Sequence, residues 1–207
     1  CLAQDPGSRV ACETMVTTDF CLICGEITTK AKVDYEAVAR EAIRAIGYTH
    51  PGDGFDADTV EIQCRIHTQS ADIALGTNDQ VGGAGDQGMM FGGACSQTPE
   101  LMPLPAALSR ALCNKLTQCV KENELLRPDG KTQVTVEYDD RGKVVGVDTV
   151  VVSIMHSADF PMEQLREYVR EQVIAPVLRD YGFREEDVPH IFINPTGNFV
   201  IGGPNGD

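Results

Sequence analysis

Between Arg9 and Thr29 the chain gives two strand-like runs, RVACETMV and FCLICGEITT, joined by the turn-like pair Thr18-Asp19. The period then changes. Tyr35, Val38, Ala39, Ala42, Ile43 and Ile46 recur at helical spacing, with Asp34 at the N-cap position and Gly47 at the stop. After the loop around Pro51-Gly52-Asp53-Gly54, the run TVEIQCRIHTQ alternates with period two and predicts a third strand. The same order returns further on. Residues 133–138 and 144–154 predict a hairpin across Asp139-Asp140-Arg141-Gly142; Met162, Leu165, Val169 and Val173 predict a helix after Pro161; HIFINP, from His190, predicts a strand. A hairpin, a helix and a strand thus appear twice, offset by roughly 125 residues, a spacing too long for a solenoid and suited to a duplicated domain.

A helix around Leu108, Ala111, Leu112, Leu116 and Cys119 links the two units. The fold class predicted is α+β in two layers, built from repeated hairpin-helix-strand units with helices on one face of each sheet. Such a sheet leaves its other face to another repeat or another chain.

Composition narrows the function. With 207 residues, 42% hydrophobic and 23% charged, the chain can bury a sizeable core, and one large or two small domains are expected. No run approaches the length of a membrane span, and no secretory leader pattern is visible. Eight cysteines in such a chain read as buried thiols of a reducing, cytoplasmic compartment. The net charge of −14 argues against nucleic acid and anionic membranes as partners. A polyanion such as ATP would need Mg²⁺ or locally placed cations.

The chain opens on Cys1 inside what looks like a helix end and stops at a glycine-rich turn, so it reads as an internal portion of a longer polypeptide.

Several stretches invite a chemical reading. From Gly83 to Gly88 the chain spells G-A-G-D-Q-G, the letters of a dinucleotide fingerprint, but neither a strand before it nor a helix after it is predicted. Cys21 and Cys24 have the spacing of a zinc knuckle; on a strand, however, residues three apart face opposite sides, and no second pair completes four ligands. Glu13 and Glu26 interrupt apolar strands. Each is either a buried carboxylate that needs a cation, a metal or several donors, or a solvent-facing position on an amphipathic strand. In LRPDGKTQ, Asp129 and Lys131 are placed on a proline-led turn ahead of a strand, where they could grip a ribose hydroxyl and a phosphate or simply be solvated. His67 and His156 each end an apolar run and read as satisfied structural histidines.

Taken together, RVACETMV, GEITTKAKVD, IGY, GFD, QSADI, GAGDQGMMFG, LMPLP, LRPDGKTQVTVEY, the His156-Ser157 pair and NPTGNFVIGGPNGD resemble the S-adenosylmethionine synthetases, in that family's order and over essentially the whole chain. The resemblance implies a three-repeat α+β subunit that dimerises through its flat sheets, as a homodimer or homotetramer, with active sites between the two chains. It implies a reaction of ATP, L-methionine and water, in which the methionine sulfur attacks C5′ and the released triphosphate is hydrolysed to phosphate and pyrophosphate. Sulfur needs no general base, so alignment and stabilisation of the leaving charge are the enzyme's tasks. Two Mg²⁺ ions per site and a K⁺ ion are implied as cofactors.

By the same resemblance Glu26, Gln69, Asp86 and Asp207 would contact methionine. Asp129, Gly130, Lys131, Asn198, Phe199 and Asp207 would contact ATP, with Phe199 packed on the adenine, and Glu13 would bind K⁺. Residues from Gln69 to Asp79 would form a gating loop. The implied organisation is an N-terminal repeat over 1–80, incomplete at its start, a central repeat over 81–201, and the beginning of a third repeat at 202–207. The family's His-Pro-Asp-Lys stretch would precede Cys1, and its later cationic segments would follow Asp207, so the 207 residues alone are expected not to turn over. Asn198 stands where many members carry arginine, and Gly93 where an aromatic is usual. Two further hypotheses remain: a non-catalytic truncated partner that dimerises with and regulates a full-length synthetase, and a generic nucleotide-binding module.

Overall fold

The computed structural model describes residues 1–70 and 89–206. The chain divides into two compact units, one of Cys1–Gly92 with Pro204–Asp207 and one of Gly93–Gly203.

In the N-terminal unit, β1 (Arg9–Thr17) and β2 (Phe20–Thr28) form the predicted antiparallel hairpin, and β3 (Glu61–His67) joins β2 in parallel, giving the order β1-β2-β3. The turn works because Asp19 accepts a positive φ of 52°. Between β2 and β3 runs helix α1 (Tyr35–Ile46), whose ends match the sequence reading. The Asp34 side chain accepts from the Ala37 N–H, and Gly47 closes the helix at φ 117°. Replacing Asp34 with Ala should lower the stability of this unit by about 1 kcal/mol, measured by denaturant unfolding; an unchanged midpoint would remove the cap from the account.

The pleat sorts the side chains of this sheet cleanly. Cys21 and Ile23 are buried beneath the layer of α1 and the loop after it, where Ile43, Phe55, Ala57 and Val60 complete the core, and Ile27, on the same face of β2, is buried as well. Cys24 lies on the opposite face from Cys21, so the C-x-x-C spacing makes no ligand pair. Burial of Cys21 pushes its thiol up from the ordinary value, as expected for an inert core thiol.

The central unit repeats this order on a larger scale. Helix α2 (Leu104–Glu122) buries Leu104, Ala107, Leu108, Leu112, Leu116 and Cys119 along one stripe. Pro103 has no side-chain cap to offer, and the Gln97 carboxamide instead accepts the Leu104 N–H at 2.9 Å. Strands β4 (Leu126–Tyr138) and β5 (Val144–His156) pair antiparallel, and β6 (His190–Ile193) joins β5 in parallel. The register shift after Thr135 turns both Val147 and Val150 inward, which strict alternation would forbid, and a second shift follows Glu137.

Beyond Pro161 the helical run has three parts: α3 (Met162–Val169), one π turn (Arg170–Ile174), and α4 (Ala175–Asp180). A missing donor and the packing of the run together account for the π turn. Pro176 has no N–H to donate into the ladder, and the Ala175 N–H reaches back five residues to the Arg170 carbonyl. The wider turn lets Val173, Ile174, Val177 and Leu178 all join the core with Leu165 and Val169. Each such side chain contributes about 1.5–3 kcal/mol on burial.

One expectation is corrected here. Asp129, Gly130 and Lys131 do not sit on a turn before a strand; they lie within β4, which starts at Leu126. Pro128 carries a turn signal, but the ladder accommodates it by a register shift between Leu126 and Gly130 rather than by ending. No described helix is long and apolar enough to cross a membrane.

Candidate functional site

Each unit presents a candidate constellation on the sheet face away from its helices. In the N-terminal unit the register aligns three cross-strand rows on that face: Met15 with Leu22 and Gln63, Glu13 with Cys24 and Arg65, and Ala11 with Glu26 and His67. Glu13 is exposed and Glu26 half-buried, with the Glu26 carboxylate 3.4 Å from His67 Nε2. That contact is an ion pair only while the imidazole is protonated. The two readings left open for these carboxylates resolve toward positions on an amphipathic strand, with Glu26 the more enclosed.

Gly25 sets the approach of β1 to Glu26. At φ 129° it allows the Ala11 carbonyl so close that a Cβ would lie 2.2 Å from its oxygen. Just past the Glu26–His67 pair are two buried polar atoms with no partner among the described residues, Thr28 Oγ1 and Gln69 Oε1. Buried polar atoms of this kind cost about 1–3 kcal/mol unless something hydrogen-bonds to them. Glu26 and Gln69 are thus acceptors that would suit an ammonium group, and Thr28 is an addition that no local signal in the sequence suggested.

In the central unit Lys131 pairs with Ser153 across the open face, beside the row of Gln133, Val151 and Phe192. The Lys131 ammonium stands 5.7 Å from the centroid of the Phe199 ring, within cation–π range. One oxygen of Asp129 accepts the Gly203 N–H at 2.8 Å. Gly202 fits between them, since a Cβ there would lie 2.5 Å from the Phe199 ring and 2.6 Å from the Asp129 carboxylate. An aromatic face, an ammonium and a carboxylate therefore meet at one place, an arrangement able to hold a flat base next to an anionic tail. Asn198 is exposed on the same loop.

The loop from Asn194 to Gly203 is tied down by side chains distant in sequence. The Asn194 carboxamide accepts the Ile154 N–H at 2.9 Å and donates to the Ile154 carbonyl at 3.0 Å, from a backbone at φ 42°. Arg166 donates to the carbonyls of Ile193 and Asn194. His156, which is 1% exposed, has both ring nitrogens engaged, in keeping with its reading as a satisfied histidine.

Asp86, Asp207 and positions 71–79 of the expected gating loop lie outside the described residues. Residues 89–93 form no helix, consistent with the failed dinucleotide fingerprint. Among the described residues no group of three or more histidines, cysteines or carboxylates is gathered so as to hold a metal ion. Glu13 offers one exposed carboxylate. A cavity of about 900 Å³ lies elsewhere in the central unit, bordered by Gln97, Glu100, Lys143 and Tyr181, and is lined by none of the candidate site residues. There burial, and then the Glu100 carboxylate, push the Tyr181 phenol up.

Comparison with known proteins gives a consistent picture. Residues 1–71 match the sequence profile described as the S-adenosylmethionine synthetase N-terminal domain, and residues 81–199 the profile described as its central domain. The chain is 49% identical over 209 aligned positions to the S-adenosylmethionine synthase of Fusobacterium nucleatum, covering 100% of this chain and 53% of that protein. The chain thus spans about half the length of that relative.

Proposed function

Since the chain belongs to the S-adenosylmethionine synthetase family, we propose that the polypeptide containing it makes S-adenosylmethionine from ATP, L-methionine and water. In this reading the methionine sulfur attacks C5′ of ATP, and the displaced triphosphate is hydrolysed to phosphate and pyrophosphate. The observation that carries the proposal is the meeting of Lys131, Asp129 and Phe199 around Gly202 in a chain of this family.

The residues divide the work. Phe199 would stack on the adenine, Lys131 would neutralise part of the phosphate charge, and Asp129 would combine a ligand contact with its hold on Gly203. Glu26 and Gln69, with Asp86 and Asp207, would receive the zwitterionic methionine. Neither Glu13 nor Glu26 is needed as a base, because the nucleophile is a neutral sulfur. Mg²⁺ and K⁺ belong to the proposal as counter-cations. Their ligands would have to come largely from the phosphates and from residues beyond those described, with Glu13 contributing to K⁺.

The uncovered sheet faces suit a homodimer, or a homotetramer built from such dimers, with its sites between chains, and the unpaired cysteines suit the cytoplasm. Lys131→Ala in the complete polypeptide should lower ATP- and methionine-dependent product formation by about 10- to 100-fold, the loss expected for one charge-assisted contact to a developing anion. Asp86→Asn should depress it strongly as well. Rates near normal for both would overturn the assignment. The alternative, a non-catalytic partner, predicts no product in any variant but altered turnover when the chain is mixed with a full-length synthetase.

A further inference from the structure

The geometry points to His156 as a positioning residue for the proposed nucleotide site: a neutral imidazole that clasps Phe199 by its backbone and so fixes the aromatic face offered to the base. This inference rests on the ATP-site reading above.

Three contacts define the clasp. The His156 N–H donates to the Phe199 carbonyl at 2.9 Å, and the Phe199 N–H donates back to His156 Nε2 at 3.1 Å. His156 Nδ1 lies 2.8 Å from the Ser157 carbonyl. A carbonyl can only accept, so Nδ1 carries the proton; an N–H can only donate, so Nε2 carries none. One neutral tautomer satisfies all three contacts. A second proton would set N–H against N–H in a site where His156 is almost wholly enclosed.

The consequence reaches the ring of Phe199 through its main chain. With both its N–H and its carbonyl held, the residue can turn only about its side-chain bonds, and Gly202 and Lys131 border the space the ring occupies. Pre-organising the stacking face in this way lowers the ordering cost of binding. His156 itself touches no substrate in this account, and acts only through Phe199.

Two measurements test the inference. Long-range ¹⁵N-resolved NMR of the wild-type protein without ligand should show a pyrrole-type Nδ1 and a pyridine-type Nε2 for His156. The reverse assignment would overturn the clasp whatever the protein binds. Second, ATP and methionine binding should be measured on folded His156→Gln and His156→Leu variants. Gln keeps an acceptor near the Nε2 position and should retain ATP affinity within about threefold, whereas Leu, with no acceptor, should weaken it about tenfold and leave methionine binding unchanged. Equal losses in the two variants, or equal losses for both ligands, would reduce His156 to a packing residue. If only Gln proves foldable, its ATP affinity decides: a loss well beyond threefold overturns the inference. Absence of ATP binding by the wild type would overturn the site reading and the role of His156 with it, while the tautomer result stands separately.

Discussion

Gly25→Ala should destabilise the N-terminal unit by more than about 4 kcal/mol, a loss reserved for backbone conflicts without a soft way out. The added Cβ would meet the Ala11 carbonyl oxygen at 2.2 Å, and the residue would hold φ 129°, a region that side chains avoid. Both obstacles are backbone, so no rotamer change relieves them. The β1–β2 ladder must open where Ala11 pairs with Glu26. Denaturant unfolding or soluble yield measures the effect, and a loss below about 1 kcal/mol would show that the strands separate without penalty.

Gly202→Ala should act on ligand affinity more than on stability. Its Cβ would collide with the Phe199 ring and the Asp129 carboxylate, both side chains, so the fold can yield by moving one of them. If the ring moves, the stacking face is lost; if the carboxylate moves, the Gly203 N–H loses its acceptor. Base stacking on an aromatic side chain is worth about 1–3 kcal/mol, so ATP affinity should fall about 10- to 100-fold while the unfolding midpoint shifts little. An ATP dissociation constant within threefold of wild type would mean that neither Phe199 nor Asp129 carries nucleotide binding.

These cases show which parts of the molecule were legible beforehand. Helix α1 was readable to its end residues because its period, its Asp34 cap and its Gly47 stop are all local. The opposed faces of Cys21 and Cys24 followed from the strand pleat alone. The start of β4 was not readable, because Pro128-Asp129-Gly130 has turn chemistry and only the partner strand, through its shifted register, keeps it in the sheet. The helical run after Pro161 was followed only to Val173, since Pro176 is an interruption whose repair by a π turn depends on packing. In the site, Lys131, Asp129 and Phe199 came from the family resemblance, and residue chemistry alone left them ambiguous. His156, Asn194, Arg166 and Gly202 act on backbone or space tens of residues away, and such pairings leave no trace in local periodicity.

The Asn194 carboxamide has one more consequence, for solubility rather than catalysis. Strand β6 is four residues long and pairs along β5 only as far as Val152. Beyond it, the Ile154 N–H and carbonyl would form a bare edge, open to any extended peptide. Asn194 occupies both groups with a side-chain amide that imitates a strand residue, and Phe199 then takes the N–H of His156. A side chain cannot propagate a ladder as a strand does. The same carboxamide that steadies the loop therefore finishes the sheet there, denying foreign chains a template for aggregation.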